Sequence, residues 1–146
     1  EQGIVLVPTL DIYYSDPYYD AYRAAETDNM DQPFLQAVLG VVRFFREAGG
    51  TVAVGNDYGV SGVDPGMPLN ELKLLQAAGL SPLEVIEAAT KNAAYVCGHG
   101  NELGTLQAGK LADLIVVDGD PLDDLAVMDS VLYVVKGGEI ALTPEP

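Results

Sequence analysis

The stretch Gly49-Gly50-Thr51-Val52-Ala53-Val54-Gly55-Asn56-Asp57-Tyr58-Gly59 decides how the rest of the chain is read. Four small or β-branched residues, Thr51 to Val54, stand between glycines in a run too short for a helix, which is the pattern of a fully buried strand. The run leads to a carboxylate. Asp57 follows the strand directly, and Gly55 and Gly59 give the backbone the freedom to turn and aim that carboxylate into a pocket. In barrels and open α/β sheets, the carboxyl ends of parallel strands are where ligands bind. The stretch thus puts an acid at a plausible active-site position without saying which reaction it serves.

Outward from this strand the pattern is α/β. Upstream, Ile4-Val5-Leu6-Val7 reads as a second buried strand, stopped by Pro8, which cannot donate to a ladder. A helix is predicted over 32–48: Pro33 suits its first turn, Phe34, Leu35, Val38, Val41, Val42 and Phe45 form its apolar stripe, and Gly49 stops it. Strand, helix and strand make a βαβ unit with parallel strands. The segment 11–30 between the first strand and this helix carries Tyr13, Tyr14, Tyr18, Tyr19 and Tyr22; it reads as a binding loop or as a cover for the sheet end.

Downstream, the Gly- and Pro-rich segment 59–68 is an irregular loop, and a helix over 68–78 stops at Gly79. Ser81-Pro82-Leu83-Glu84 is a capping box with proline at the first helical position. The helix it opens runs to about Val96, with Val85, Ile86, Ala89, Ala93 and Val96 inward. The pattern then turns extended: Leu114–Val117, Val131–Val135 and Glu139–Leu142 are strands, the last two joined at Gly137-Gly138 as a hairpin. A boundary is expected near Glu102, dividing the chain into 1–101, α/β, and 102–146, antiparallel β.

The 146 residues are enough for one domain with a substantial core. With 22 acids against 7 bases, a formal net charge of −15 argues against nucleic acid or an anionic membrane as partner. No apolar stretch reaches the roughly 18 residues of a membrane span, and the beginning Glu1-Gln2-Gly3 lacks the basic region of a signal peptide. That beginning, without an initiator Met, suggests an upstream portion. The single cysteine, Cys97, has no internal disulfide partner and is expected to pack as a small apolar group at a helix end.

Among the chemistry-bearing residues Asp57 leads, as metal ligand or general base, against the alternative of an aspartate closing a turn. Asn70 and Glu71, opening the next helix, read as helix caps. His99, the one imidazole of the chain, lies in a glycine-bounded turn, and a surface role outweighs metal ligation. Asp118, Asp120, Asp123 and Asp124 lack the EF-hand pattern and are interrupted by Pro121, so they read as a turn.

Several ordered segments together resemble one family. Gly79-Leu80-Ser81-Pro82-Leu83-Glu84, Ala88-Ala89-Thr90-Lys91-Asn92-Ala93-Ala94, Leu103-Gly104-Thr105-Leu106 and Ala108-Gly109-Lys110-Leu111-Ala112-Asp113-Leu114-Ile115-Val116-Val117-Asp118 are similar to the C-terminal third of metal-dependent amidohydrolases, in the imidazolonepropionase-like and Xaa-Pro dipeptidase-like branch. Gly3–Leu10 resembles that branch's seventh barrel strand and Gly55–Gly59 the end of its eighth. The resemblance implies the last part of a (β/α)8 TIM barrel, strands seven and eight with their helices, followed by a C-terminal β-sandwich segment. It also implies one or two divalent metals, usually zinc, that activate water against a C–N bond of an amide, cyclic amide or dipeptide.

By position, Asp57 would be the aspartate that ends strand eight, binds metal and moves the proton. Asn56 stands where the family has threonine. The family's His-x-His pair, bridging lysine and histidines of strands five and six match no residue here, so the isolated chain is expected to lack a complete metal centre and to be inactive alone. Two barrel strands with open edges favour either a missing N-terminal barrel portion or self-association. The rival reading is a non-catalytic, acidic interaction or scaffold module.

Overall fold

The computed structural model describes residues 3–15, 33–59 and 65–143. Strands β1 (Val5–Leu6) and β2 (Thr51–Val52) pair in parallel, Val5 opposite Thr51 and Leu6 opposite Val52. The Ala53 N–H extends the ladder by donating to the Leu6 carbonyl at 2.9 Å. Both strands are shorter than the four-residue runs read from sequence. A helix meets the backbone here as well, the Val54 N–H donating to the carbonyl of Ala88 at 3.0 Å and Asn92 Nδ2 donating to the Val52 carbonyl at 2.8 Å. A helix therefore satisfies backbone groups of β2 that its pairing with β1 does not, and the expectation of long unpaired edges does not hold on this strand.

Helix α1 (Asp11–Ser15) follows β1 where an irregular loop was expected, and the rest of that loop, with Tyr18, Tyr19 and Tyr22, lies outside the described residues. Helix α2 (Pro33–Glu47) has the expected extent. Its buried face is Leu35, Leu39 and Val42, with Val38 and Phe45 packed beside them. Phe34 and Val41 were expected inward but are 53% and 61% exposed. Each precedes a buried residue by one position, about 100° around the helix, which carries it off the buried face. The helix ends in a Schellman arrangement: the Gly50 N–H donates to the Phe45 carbonyl and the Gly49 N–H to the Arg46 carbonyl, both at 2.9 Å, with Gly49 at φ 83°.

Helix α3 (Leu69–Ala77) packs on α1 and α2, and Arg43 of α2 donates to the Ala77 and Ala78 carbonyls at 3.1 and 3.3 Å, satisfying groups at the end of α3. Helix α4 (Pro82–Glu87) opens with the expected capping box: Glu84 N–H to Ser81 Oγ at 3.3 Å, and Ser81 N–H to Glu84 Oε2 at 2.7 Å. The single helix predicted to Val96 is interrupted by a π-helical turn, Ala88–Asn92, before α5 (Ala93–Val96). That turn supplies both groups that meet β2. Val96, expected inward, is exposed.

Strands β3 (Leu114–Val117), β4 (Val131–Lys136) and β5 (Glu139–Leu142) form a separate antiparallel sheet in the order β3-β4-β5, with Lys136 opposite Glu139 across the Gly137-Gly138 turn. Between β3 and β4 lies a 3-10 helix, Leu125–Asp129, capped by Asp124 Oδ1 accepting from the Ala126 N–H at 2.8 Å; Asp120 Oδ1 likewise accepts from the Leu122 N–H at 2.9 Å. These carboxylates serve the turn, as the sequence suggested. Leu125 and Met128 reach back into the core formed by Leu10, Leu35, Leu39, Leu72, Leu75 and Val85.

Candidate active site at the carboxyl ends of the parallel strands

Two described non-glycine residues have left-handed backbone, Thr9 at φ 45° and Asp57 at φ 45°. Each lies in the segment that leaves one parallel strand, Thr9 three residues beyond β1 and Asp57 five residues beyond β2. Left-handed backbone costs such residues on the order of 1–3 kcal/mol and is characteristic of functional sites, above all for a β-branched residue such as Thr9. At this end the two segments approach so closely that a Cβ on Gly55 would lie 2.5 Å from Val7 Cγ1 and 2.6 Å from Thr9 Cγ2. Gly55 is therefore needed for close approach rather than for a turn, while Gly59, at φ 96°, does turn the backbone. Asp57 itself is exposed.

The residue that sequence reasoning missed is Glu71. It does not cap α3: its side chain is fully buried, and one carboxyl oxygen, Oε2, accepts from the Asp11 N–H at 2.8 Å. Burial pushes its carboxyl up to about 8, opposed by hydrogen bonds from the Asp11 and Leu10 backbone and reinforced by the negative charges of Asp11 and Asp57. The other oxygen, Oε1, is buried with no hydrogen-bond partner among the described residues, as is Asn56 Oδ1. A signal was present in the sequence. Glu71 falls on the stripe Glu71, Leu72, Leu74, Leu75 and Ala78, all buried, so an acid sits where the helical period demands an apolar group.

Beside these residues lies a small cavity of about 140 Å³, lined by Asp11, Asn56, Pro65, Met67, Pro68, Leu69 and Asn70. A larger cleft of about 620 Å³ opens elsewhere, and its lining includes Gly3, Val5 and Thr51 from the amino ends of the strands together with Lys91 and Lys110. Among the described residues that line it none is a carboxylate, imidazole or thiol, whereas Asp11 lines the smaller one. His99 is on the surface, its Nδ1 paired with Glu102 Oε2 at 2.8 Å, and Cys97 is exposed rather than packed. Among the described residues no three His, Cys, Asp or Glu side chains are grouped so as to hold a metal ion. The donors present do not make up the three or four ligands of a zinc site.

The model of the amidohydrolase family matches residues 40–141. The chain belongs to the amidohydrolase family. This family member is 30% identical over 125 residues to an imidazolonepropionase of Caldanaerobacter subterraneus subsp. tengcongensis, covering 82% of the chain and 24% of that protein. It is 36% identical over 116 residues to an ochratoxinase of Aspergillus niger, covering 75% of the chain and 22% of the relative. Among solved structures, a Xaa-Pro dipeptidase with methionine bound in its active site superposes with a TM-score of 0.76 at 26% identity, over 94% of this chain and 34% of that one. The crystal structure of A. niger ochratoxinase gives a TM-score of 0.74 at 28% identity, over 97% and 33%. The chain thus spans about a fifth to a third of the length of these relatives.

Proposed function

We propose that this amidohydrolase chain supplies strands seven and eight, with their helices, to a (β/α)8 barrel through residues 1–101, and a β-sandwich segment through residues 102–146. The complete enzyme hydrolyses a C–N bond in a small amide, cyclic amide or dipeptide. The observation that carries this reading is Asp57: a carboxylate in left-handed backbone, in the segment that follows the carboxyl end of a parallel strand, in a chain of this family. That is the end of the strands on which barrel enzymes assemble their sites.

In this proposal Asp57 is one ligand to the family's divalent metal, zinc in the first instance, and the group that takes a proton and delivers it to the leaving nitrogen. A metal in such a site supplies Lewis acidity and a water of lowered pKa. Among the described residues the donor set does not complete the site, so in this reading the other ligands come from outside them, through further barrel strands or a second chain. Two apolar surfaces support such a partner. On α2, Phe34, Val41 and Phe44 are exposed at positions i, i+7 and i+10, one face of the helix, and beside β1 so are Ile4 and Val7.

The test is hydrolysis of a panel of dipeptides, cyclic amides and acyl amides by the complete enzyme, before and after chelation. Metal-dependent turnover of at least one class is expected. Full activity in the metal-stripped protein would overturn the metal assignment, and no turnover of any class in a zinc-loaded enzyme would overturn the hydrolase reading.

A further inference from the structure

Glu71 is the one ionisable side chain among the fully buried residues of the described structure, and neither Asp57 chemistry nor helix capping uses it. It belongs to α3, the helix after the Asp57 loop, yet its hydrogen bond crosses sixty residues of sequence to the backbone at the end of the other strand. The Asp11 N–H donates to Oε2 at 2.8 Å, and the neighbouring Leu10 backbone lies close enough to add to the pull on the carboxyl. Leu10 and Asp11 follow immediately on Thr9, whose left-handed backbone redirects the chain as it leaves β1, and both are buried. Leu10 also packs with Leu72 and Leu75 in the core, so the turn is held by an apolar and a polar contact from the same helix.

We propose that Glu71 is a positioning residue for the candidate catalytic face: its carboxyl clamps the turn Thr9–Asp11 to α3 and so sets where the segment after β1 stands relative to Asp57. The carboxyl touches no reacting group in this account. It acts through the N–H groups it holds, which a buried site away from water makes stronger and more directional than a surface contact. Leaving those donors unpaired in the interior would cost more than the bond itself contributes. Calling the face catalytic rests on the function proposed above; the clamp does not.

The experiment has two parts, with Glu71→Ala removing the clamp and Glu71→Gln keeping an acceptor of the same shape. Amide hydrogen exchange of the full chain, followed by NMR, should show the Leu10 and Asp11 N–H groups exchanging roughly tenfold faster or more in Glu71→Ala, and within about threefold of wild type in Glu71→Gln. In the complete enzyme, hydrolysis of the dipeptide and cyclic-amide panel should show KM raised about tenfold or more by Glu71→Ala, kcat changed less, and KM rescued by Glu71→Gln. Loss of stability alone would lower the active fraction without moving KM. Unchanged exchange at Leu10 and Asp11 in Glu71→Ala overturns the clamp, and changed exchange with unchanged KM in an active enzyme overturns the positioning role. If the exchange result holds while the wild-type enzyme hydrolyses none of the panel, the clamp stands and the hydrolase reading falls. Should Glu71→Ala fail to fold, Glu71→Gln decides: exchange at Leu10 and Asp11 more than tenfold above wild type would contradict the acceptor role.

Discussion

Raising the pH from 5 to 9 should destabilise this protein through one residue, Glu71. Burial lifts its carboxyl from an ordinary 4.5 to about 8, with the charges of Asp11 and Asp57 acting in the same direction. Between those values the folded protein keeps a proton that the unfolded chain has released. The stability this provides is fully present below 4.5 and is lost as pH rises through about 8, because the slope of unfolding free energy follows the protons bound in the unfolded state minus those in the native state. At about 1.36 kcal/mol per pH unit the ceiling across this interval is roughly 5 kcal/mol, and relaxation around the carboxylate brings the expected loss to on the order of 3 kcal/mol. That is a large part of the 5–15 kcal/mol typical of a domain. Urea unfolding of wild type and Glu71→Gln, followed by far-UV circular dichroism at pH 5 to 9, isolates the effect, since every other titrating group is common to both proteins. The wild-type profile should fall relative to the variant between pH 5 and about 8 and run parallel to it above. Parallel profiles over the whole range would refute the reasoning.

Four further outcomes are expected. Ser81→Ala removes the cap at the start of α4 and should cost about 1 kcal/mol in urea unfolding. Glu84, held down to about 2 first by the Ser81 side chain and backbone and then by Arg46, contributes stability that is present above 4.5 and lost as pH falls toward 2. The Arg46 and Glu84 side chains are 37% and 38% exposed, so the ion pair itself is worth under about 1 kcal/mol; Arg46→Ala should flatten the acid limb slightly, less so in high salt. Gly55→Ala should destabilise by about 1–3 kcal/mol and shift the Val7 and Thr9 methyl resonances, because its methyl would overlap both side chains. Leu39→Ala, at a position only 1% exposed in α2, should cost about 2–5 kcal/mol by the same unfolding assay.

Much of this fold can be read from local pattern. The βαβ order, the extent of α2, the capping box at Ser81 and the hairpin at Gly137-Gly138 follow from strong local rules, and the structure contains all four. What is not legible depends on contacts between distant residues. The π-helical turn at Ala88–Asn92 has no local signature; it accompanies bonds between that helix and β2, the Ala88 carbonyl meeting the Val54 N–H. Beyond Leu6 the ladder meets Pro8, which has no N–H to donate. Phe34 and Val41 show another limit: a helix with apolar residues on more than one face does not declare which face is covered. At the candidate site, Asp57 stands out because it ends a glycine-bounded strand. Glu71 was misread because an acid near a helix start usually serves the helix dipole, although its place on the buried stripe pointed inward.

The most direct test of the account is to measure bound zinc and hydrolytic rate together in the complete enzyme, for wild type and Asp57→Asn. The substitution keeps size and removes the charge. Wild type should hold about one or more zinc per chain, and Asp57→Asn should lose hydrolysis by about a hundredfold or more with its circular dichroism unchanged. An Asp57→Asn enzyme with wild-type zinc content and wild-type kcat would contradict that expectation.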